Sequence, residues 1–314
     1  MRFQPGSIAL LLLALPASAD WHRPSAVPLF RPTAPIRWEL RAPGLPRIEK
    51  EELGTLQVPG ATLAVKLTPR GNARREFCES FPPFKIKLLK KEQAGTVFEG
   101  SDDSVHYVTH CRDPQSPEYV ERLHLEYTVY RMLWESGLPA SLARLTQARY
   151  VGASGEVEGP GMIPEHLKDT RRRLGVTDES PARPYDLVMA EIHLSLLFVQ
   201  NADANIAMEH NVWALRNARD ELVAYVAHDF DLTNLVDPEF FKNKAADWDD
   251  ESRLSQIARS YGSDIVSGLL RGMHARRPGI DAAIAASPAS AAGRARLTTR
   301  VESFFSAARH LGLL

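Results

Sequence analysis

Two polar clusters near the middle of the chain contain residue types that can perform chemistry. Asp203 lies in the polar segment 200–205, and Asp229 and Asp231 directly follow His228. Carboxylate oxygens are the ligands that Mg²⁺ prefers, usually one or two of them together with substrate phosphates. Each residue taken alone could equally serve as a turn or helix cap, which is a common role for Asp and Asn. The elements that hold the two clusters therefore decide between these interpretations.

The pattern around the clusters predicts a buried helix followed by a β-hairpin. Residues 185–200 are apolar on all sides, which is typical of a buried helix. Segments 210–215 and 221–228 flank a polar turn, which indicates a hairpin. A hairpin returns the chain to the point where it left, so we expect three polar side chains to meet there: Asp203, Asn211 and Asp229. The sequence thus predicts a site for a hard cation.

The N-terminal half is predicted to be rich in strands. Alternating or β-branched patterns predict strands at 61–67, 84–89, 104–111 and 145–151, with a helix over 117–135 and a glycine-rich turn at 152–161. Six prolines between residues 20 and 47 indicate an extended arm, which we assign to 20–59. Residues 60–163 form one predicted domain, and 164–314, helical beyond about 250, form a second.

The first nineteen residues have the features of a signal peptide. Arg2 is followed by an unbroken apolar run at 8–15, and the segment ends in Pro16-Ala17-Ser18-Ala19. Eight apolar residues are too few to cross a membrane, which takes about twenty. We expect cleavage after Ala19, a periplasmic or secreted protein, and no transmembrane segment in the mature chain.

Cys78 and Cys111 are the two cysteines of the sequence. In an oxidising compartment they are expected to form a disulfide, which would contribute about 3 kcal/mol. Two buried free thiols or a shared metal site are the alternatives, and no CxxC or His-rich spacing supports the metal site.

Composition and common motifs exclude several function classes. The 314 residues include 38 Lys and Arg against 39 Asp and Glu, a formal charge of -1, so no nucleic-acid partner is expected from whole-surface attraction. The sequence lacks GxxxxGK[ST], GxSxG, HExxH and GxGxxG. Function is therefore expected to depend on a less common arrangement.

The order of the motifs resembles an atypical kinase family. The motifs are RGNARREFCESFPPFKIKL at 70–88, HLEYTVYRML at 124–133, FVQNADANI at 198–206 and AYVAHDFDLTNLV at 224–236. They resemble the CotH-like branch of secretory kinases, more loosely the HipA-like and phosphoinositide kinases, and most of all a family of exported bacterial proteins with the same RGN, Asn-x-Asp and Asp-Phe-Asp motifs. The resemblance implies an α+β, two-lobed protein-kinase-like fold, with a small β-rich N-lobe and a larger helical C-lobe.

The resemblance assigns roles to the two polar clusters. Asp203 is implied to be the catalytic residue that orients the acceptor hydroxyl, while Asn211 and Asp229 hold the metal. Asp203 and Asn211 are eight residues apart instead of the five of protein kinases, so Asn205 is an alternative to Asn211. Asp231 stands where the family's glycine would be, and it either binds a second metal or caps a turn.

The same resemblance implies a nucleotide site in the N-terminal half. Glu126 corresponds to the helix glutamate that pairs with the nucleotide-binding lysine, for which Lys85 and Lys87 are the candidates. Three residues are implied to form the turn over the phosphates: Arg70, Gly71 and Asn72. The strand directly before the Glu126 helix carries His106 where a lysine is expected.

Together these assignments predict an exported phosphotransferase. It would use ATP and Mg²⁺ or Mn²⁺ to modify a hydroxyl of an unknown protein or small molecule, and AMP transfer is compatible with the same residues. One alternative is a catalytically inactive binding or assembly protein. The other is a metal-dependent hydrolase, in which His110, His210 and His228 would join Asp203 or Asp229.

Overall fold

The structure is a computed structural model that describes residues 21–31, 34–78, 80–112, 116–244 and 248–314. The predicted signal peptide lies outside these ranges. Residues 28–30 form a short 3₁₀ helix before the first strand.

Seven strands form a closed barrel. They are β1 (Ile36–Arg41), β2 (Glu52–Val58), β3 (Ala61–Pro69), β4 (Phe84–Leu88), β5 (Ser104–Thr109), β6 (Ala143–Gly152) and β7 (Gly155–Pro164). Their spatial order is β1-β2-β3-β4-β5-β7-β6, and β1 pairs in parallel with β6 to close the ring, whereas the other pairs are antiparallel. Alternate side chains of each strand fill the barrel with an apolar core.

The predicted two-lobed kinase-like fold is wrong. That prediction assumed a small β-rich lobe, but the strands close into a complete seven-stranded barrel next to a helical region. The closure depends on β1, which pairs with β2 on one side and with β6 on the other. No local pattern in the sequence indicates a pairing between segments more than a hundred residues apart, because the ladder joins them only after folding.

The predicted proline-rich arm also needs correction, because residues 36–41 and 52–58 are strands of the barrel. Ile36, Trp38 and Leu40 are buried, while Arg37 and Arg41 are exposed, which is the alternation of a half-buried strand. The prolines lie before β1 and in the turn after it, so they do not interrupt the ladder.

The predicted glycine-rich turn at 152–161 is largely strand β7. A Cβ atom at Gly159 would lie 2.3 Å from the ring of His110, and one at Gly161 would lie 2.0 Å from the hydroxyl oxygen of Tyr107. These glycines therefore allow large side chains to approach the strand closely, which is a reason for glycine inside a strand.

Helices α1 (Asn72–Phe77), α2 (Lys90–Gln93) and α3 (Pro117–Ser136) lie between barrel strands in sequence. The rest of the chain forms α4 (Leu167–Arg173), α5 (Tyr185–Phe198), the hairpin β8 (Val212–Arg216) and β9 (Leu222–Ala227), α6 (Pro238–Lys244), α7 (Asp250–Tyr261), α8 (Ser263–Ala275), α9 (Arg277–Ala285) and α10 (Ala291–His310). A second apolar core includes α3, α5 and the C-terminal helices. The predicted buried helix and the hairpin after it are confirmed.

The predicted disulfide is present, and it joins Cys78 to Cys111. Cys78 ends α1, and Cys111 follows β5. Among the helices of the described ranges, none is long and apolar enough to cross a membrane.

Candidate functional site

Arg74 of α1 contacts three carboxylates at one place. Its Nε donates to Asp231 Oδ2 at 2.7 Å, and its Nη2 lies 3.2 Å from Asp229 Oδ1 and 3.3 Å from Glu126 Oε2. The carboxylates come from α3 and from the loop after β9. We call these four residues the Arg74 cluster. The cluster joins the segment between two barrel strands to the helical region.

Burial sets the charge of the Arg74 cluster. The Glu126 side chain is 3% exposed, and its burial raises its pKa to about 8, although Arg74 opposes the shift. Burial likewise raises the pKa of Asp231, while the three carboxylates raise the pKa of Arg74 well above its ordinary value. The Glu126 carboxyl is therefore mostly protonated at pH 7, and the single guanidinium of the cluster faces the two aspartates. Asp229, with its side chain 44% exposed, is the carboxylate most open to a ligand.

Five basic side chains form a set that begins beside Asp229, and we call this set the basic group. Its members come from the end of β3, from β4, from β5, from the N-terminus of α4 and from the end of β9: Arg70, Lys85, His106, His166 and His228. Lys85 is the cross-strand partner of His106, whose ring centroid lies 5.6 Å from that of His166. Asp229 is the main group that favours the charged form of Arg70. Five elements thus bring nitrogen donors to one place.

The histidines of the basic group are neutral at pH 7. Burial, aided by Arg70, His166 and Lys85, lowers the pKa of His106 to about 3. Burial and Arg70 lower the pKa of His228 to about 4. Arg70, which Asp229 faces, and Lys85 are thus the cations of this group, and cations suit an anionic ligand.

Asp203 forms a separate small network. Asn211 Nδ2 donates to Asp203 Oδ2 at 2.9 Å, and His210 Nε2 lies 3.5 Å from the same oxygen. Asn201 Oδ1 accepts hydrogen bonds from the backbone N–H groups of residues 203 and 204. The backbone N–H of His228 donates to the carbonyl of Asn211, so the first strand of the hairpin connects this network to Asp229.

The backbone has a positive φ at three points of the site. Gln200, Asn211 and Asp229 have φ of 51°, 56° and 58°. Residues other than glycine rarely adopt this backbone conformation, and those that do are concentrated at functional sites. The three points lie at the end of α5, before β8 and after β9.

The structure brings some predicted residues together and separates others. Arg74 brings together three of the predicted residues: Glu126, Asp229 and Asp231. Asn211 forms its hydrogen bond with Asp203, whereas Asp229 pairs with Arg74. Asn205 accepts from the backbone N–H of Met208, a turn role.

The predicted nucleotide-binding residues also differ in position. Lys85 is partly buried and belongs to the basic group, whereas Lys87 is exposed. Gly71 has a φ of 80° at the start of α1, next to Arg70. The side chain of Asn72 lies outside the described part.

Sequence reasoning missed Arg74 and His166. Arg74 lies two residues after the RGN motif, and this proximity was the available signal. His166 shows no sequence signal, since it follows β7 and approaches His106 only through the pairing of β7 with β5.

The Arg74 cluster could hold a metal ion only together with a bound molecule that completes the coordination shell. Among the described ranges, no group of three or more His, Cys, Asp or Glu side chains is arranged to hold a metal ion. Mg²⁺ usually takes one or two protein carboxylates and completes its shell with phosphates and water. The excess carboxylates of the Arg74 cluster fit that requirement, with Asp229 the accessible member.

Comparisons with known proteins give a weak likeness to solved structures and no match among protein-family models or curated proteins. A solved structure, that of the Helicobacter pylori proinflammatory kinase CtkA, is similar with a TM-score of 0.40 and 12% identity, covering 73% of this chain and 89% of that chain. A likeness of this degree does not establish a shared fold.

Proposed function

We propose that this protein is a phosphotransferase that transfers a phosphoryl group from ATP to a hydroxyl, with Mg²⁺ or Mn²⁺ at Asp229. The observation that carries the proposal is the convergence of the basic group on the accessible edge of the carboxylate-rich Arg74 cluster. Phosphoryl transfer needs cationic groups for the phosphates and carboxylates for the metal in one place.

The basic group supports phosphate binding. Arg70 and Lys85 are cations on neighbouring barrel strands, and an ammonium or guanidinium forms short, charge-assisted hydrogen bonds with phosphate oxygens. The neutral imidazoles of His106 and His228 can donate further hydrogen bonds. An anion would relieve the repulsion among these groups.

The Arg74 cluster supports metal binding. Asp229 would hold the ion and Asp231 would support it, while a bound divalent metal would neutralise charge on the phosphates. Arg74 keeps the two aspartates in place and is the cation that pairs with Glu126. The proposal depends on this constellation and not on a kinase-like architecture.

In this proposal, Asp203 accepts the proton of the acceptor hydroxyl. The acceptor oxygen forms a bond to the γ-phosphorus, and the bond from that phosphorus to the β–γ bridging oxygen breaks, its electron pair leaving with ADP. The hydroxyl proton passes to the Asp203 carboxylate and then to water. Asn211 and His210 orient that carboxylate.

We further infer that the protein is exported. The disulfide between Cys78 and Cys111 supports an oxidising compartment, as the leader-like sequence of residues 1–19 does.

Isothermal titration of ATP, with and without Mg²⁺ or Mn²⁺, tests the proposed function. We expect Lys85→Ala to weaken binding by about tenfold, and Asp229→Ala to abolish the dependence on metal. Lys87→Ala is the matched control, because it removes an exposed lysine two residues along the same strand. Absence of ATP binding with either metal would contradict the proposal and favour the inactive binding protein.

A further inference from the structure

A cavity of about 730 Å³ lies next to the Asp203 loop, on the helical side of the molecule. Residues 202 and 204, the neighbours of Asp203, both line it. Its other walls come from α5, the hairpin, α6 and α7. This volume is in the range of pockets that hold small-molecule ligands.

One residue of the cavity lining has a buried hydrogen-bond donor without a partner. Asn201 is 4% exposed, and its Nδ2 has no hydrogen-bond partner among the described residues. Its Oδ1 is held by two backbone N–H groups, which fixes the orientation of the amide. Leaving a buried donor unsatisfied costs about 1–3 kcal/mol, so a ligand oxygen that approached this nitrogen would be stabilised.

Aromatic side chains form the other main feature of the cavity. Four of them line it: Tyr185, Tyr225, Trp248 and Tyr261. Tyr185 is 64% exposed, although large apolar surfaces are normally buried. The ring of His193 stacks on Tyr261 with centroids 5.4 Å apart, and the Arg253 guanidinium lies 3.8 Å from the Trp248 ring centroid.

Hydrogen-bonding side chains are interspersed with these rings, among them Asn205, Gln256 and Ser260. A sugar ring has C–H groups on its faces, which pack on aromatic rings, and hydroxyls around its rim, which bond to amides and hydroxyls. The cavity offers both kinds of contact in one place, together with the unsatisfied Asn201 donor.

We propose that this cavity binds a saccharide and that the saccharide provides the hydroxyl acceptor. The acceptor role rests on the proposed phosphotransfer, whereas the binding itself does not. Ala202 and Ala204 of the lining flank Asp203, so the cavity lies beside the loop that carries the carboxylate.

Saturation-transfer NMR without nucleotide or metal tests the binding. The probes are glucose, galactose, N-acetylglucosamine, lactose and diacetylchitobiose, beside adenosine and a mixture of short Ser-, Thr- and Tyr-containing peptides. Two variants change the cavity: Tyr185→Ala removes an exposed ring, and Asn201→Asp keeps the accepting oxygen but removes the donor. Leu53→Ala, at a position 76% exposed on β2, is the control.

We expect at least one saccharide to bind, and both cavity variants to weaken that binding by about tenfold while the control leaves it unchanged. No saccharide binding at millimolar concentration would overturn the proposal, as would binding that neither cavity variant affects. Binding of adenosine or of the peptides that Tyr185→Ala abolishes would also overturn the saccharide assignment.

Asp229→Ala separates this inference from the proposed function. We expect the variant to retain saccharide binding, because Asp229 does not line the cavity. If ATP titration fails but saccharide binding behaves as expected, the phosphotransfer is wrong and the saccharide site stands. If ATP binds and no saccharide does, the inference about the cavity is wrong.

Discussion

Arg74 connects three carboxylates, and this makes it the residue on which the geometry of the site depends. Glu126 is buried and would remain without a cationic partner if the guanidinium were removed. The types and the order of the three carboxylates indicate them in the sequence. Arg74 reaches them from another element, and such a contact produces no recognisable spacing in the sequence. Its role became visible only in the folded chain.

The Arg74→Ala variant should be clearly destabilised. We expect a loss of about 2 kcal/mol in the free energy of unfolding, because one partner of a largely buried ion pair is removed. Arg75→Ala is the control, since Arg75 pairs with Glu49 in a more exposed setting and should cost less than about 1 kcal/mol. Urea unfolding of both variants measures the difference, and equal losses would contradict the importance of the cluster.

His106 should make stability depend on acid pH. Its pKa is about 3 in the folded protein and ~6.5 in the unfolded chain, so the unfolded chain binds the proton first as the pH falls. The free energy of unfolding should therefore decrease from about pH 6.5 towards pH 3, with no contribution of His106 above that window. The variant His106→Gln should lose less stability on acidification than the wild type.

Urea unfolding at several pH values measures the difference in the free energy of unfolding between the wild type and His106→Gln. Glu126 acts in the opposite direction, since its pKa of about 8 means that stability is lost as the pH rises from ~4.5 to 8. His310→Gln, on the surface of α10, controls for the loss of a histidine elsewhere. A difference that does not change with pH would show that His106 is not buried as described.

At the scale of elements, α1 positions Arg74 and the disulfide holds α1. The backbone N–H of Cys78 donates to the carbonyl of Arg74 at 2.8 Å, and Cys78 is bonded to Cys111 after β5. A helix of six residues has little stability of its own, so it depends on such tertiary links. The disulfide thus acts on the site as well as on stability.

The double variant Cys78→Ser, Cys111→Ser should be affected in two ways. We expect a loss of about 3 kcal/mol in the free energy of unfolding for a sequence separation of 33 residues. We also expect weaker metal-dependent ATP binding, because Arg74 is no longer held. Calorimetry on the folded variant measures the second effect, and unchanged affinity would indicate that the disulfide stabilises the barrel alone.

At the scale of the whole molecule, the barrel closes because the segment before residue 60 contributes two strands. Trp38 of β1 is buried inside the barrel beside Phe98 and Tyr107, at ring-centroid distances of 6.2 Å and 5.1 Å. An extended surface arm would make no such contacts.

The variant Trp38→Ala should therefore be strongly destabilised, by about 3–5 kcal/mol, as expected for a large side chain removed from a core. Leu53→Ala on the neighbouring strand β2 should change stability by no more than about 0.5 kcal/mol, since Leu53 is exposed. Thermal or urea unfolding compares the two. A loss at Trp38 no larger than at Leu53 would mean that β1 does not belong to the core.

Local patterns in the sequence determined the helix of α3, the buried α5, the hairpin after it and the polar clusters at its open end. These features depend on periodicity within about twenty residues, which the sequence displays directly. The disulfide was also predicted from the sequence, because two cysteines are expected to form a disulfide in an oxidising compartment.

Only the tertiary structure decided how the sheet closes and which charges meet. The parallel pairing of β1 with β6 and the approach of Arg74 to Glu126 and Asp229 join residues far apart in the chain. Such contacts depend on the packing of whole elements and leave no local pattern. The same reason applies to the cavity beside Asp203, since α5, the hairpin and α7 have to pack together before its aromatic wall exists.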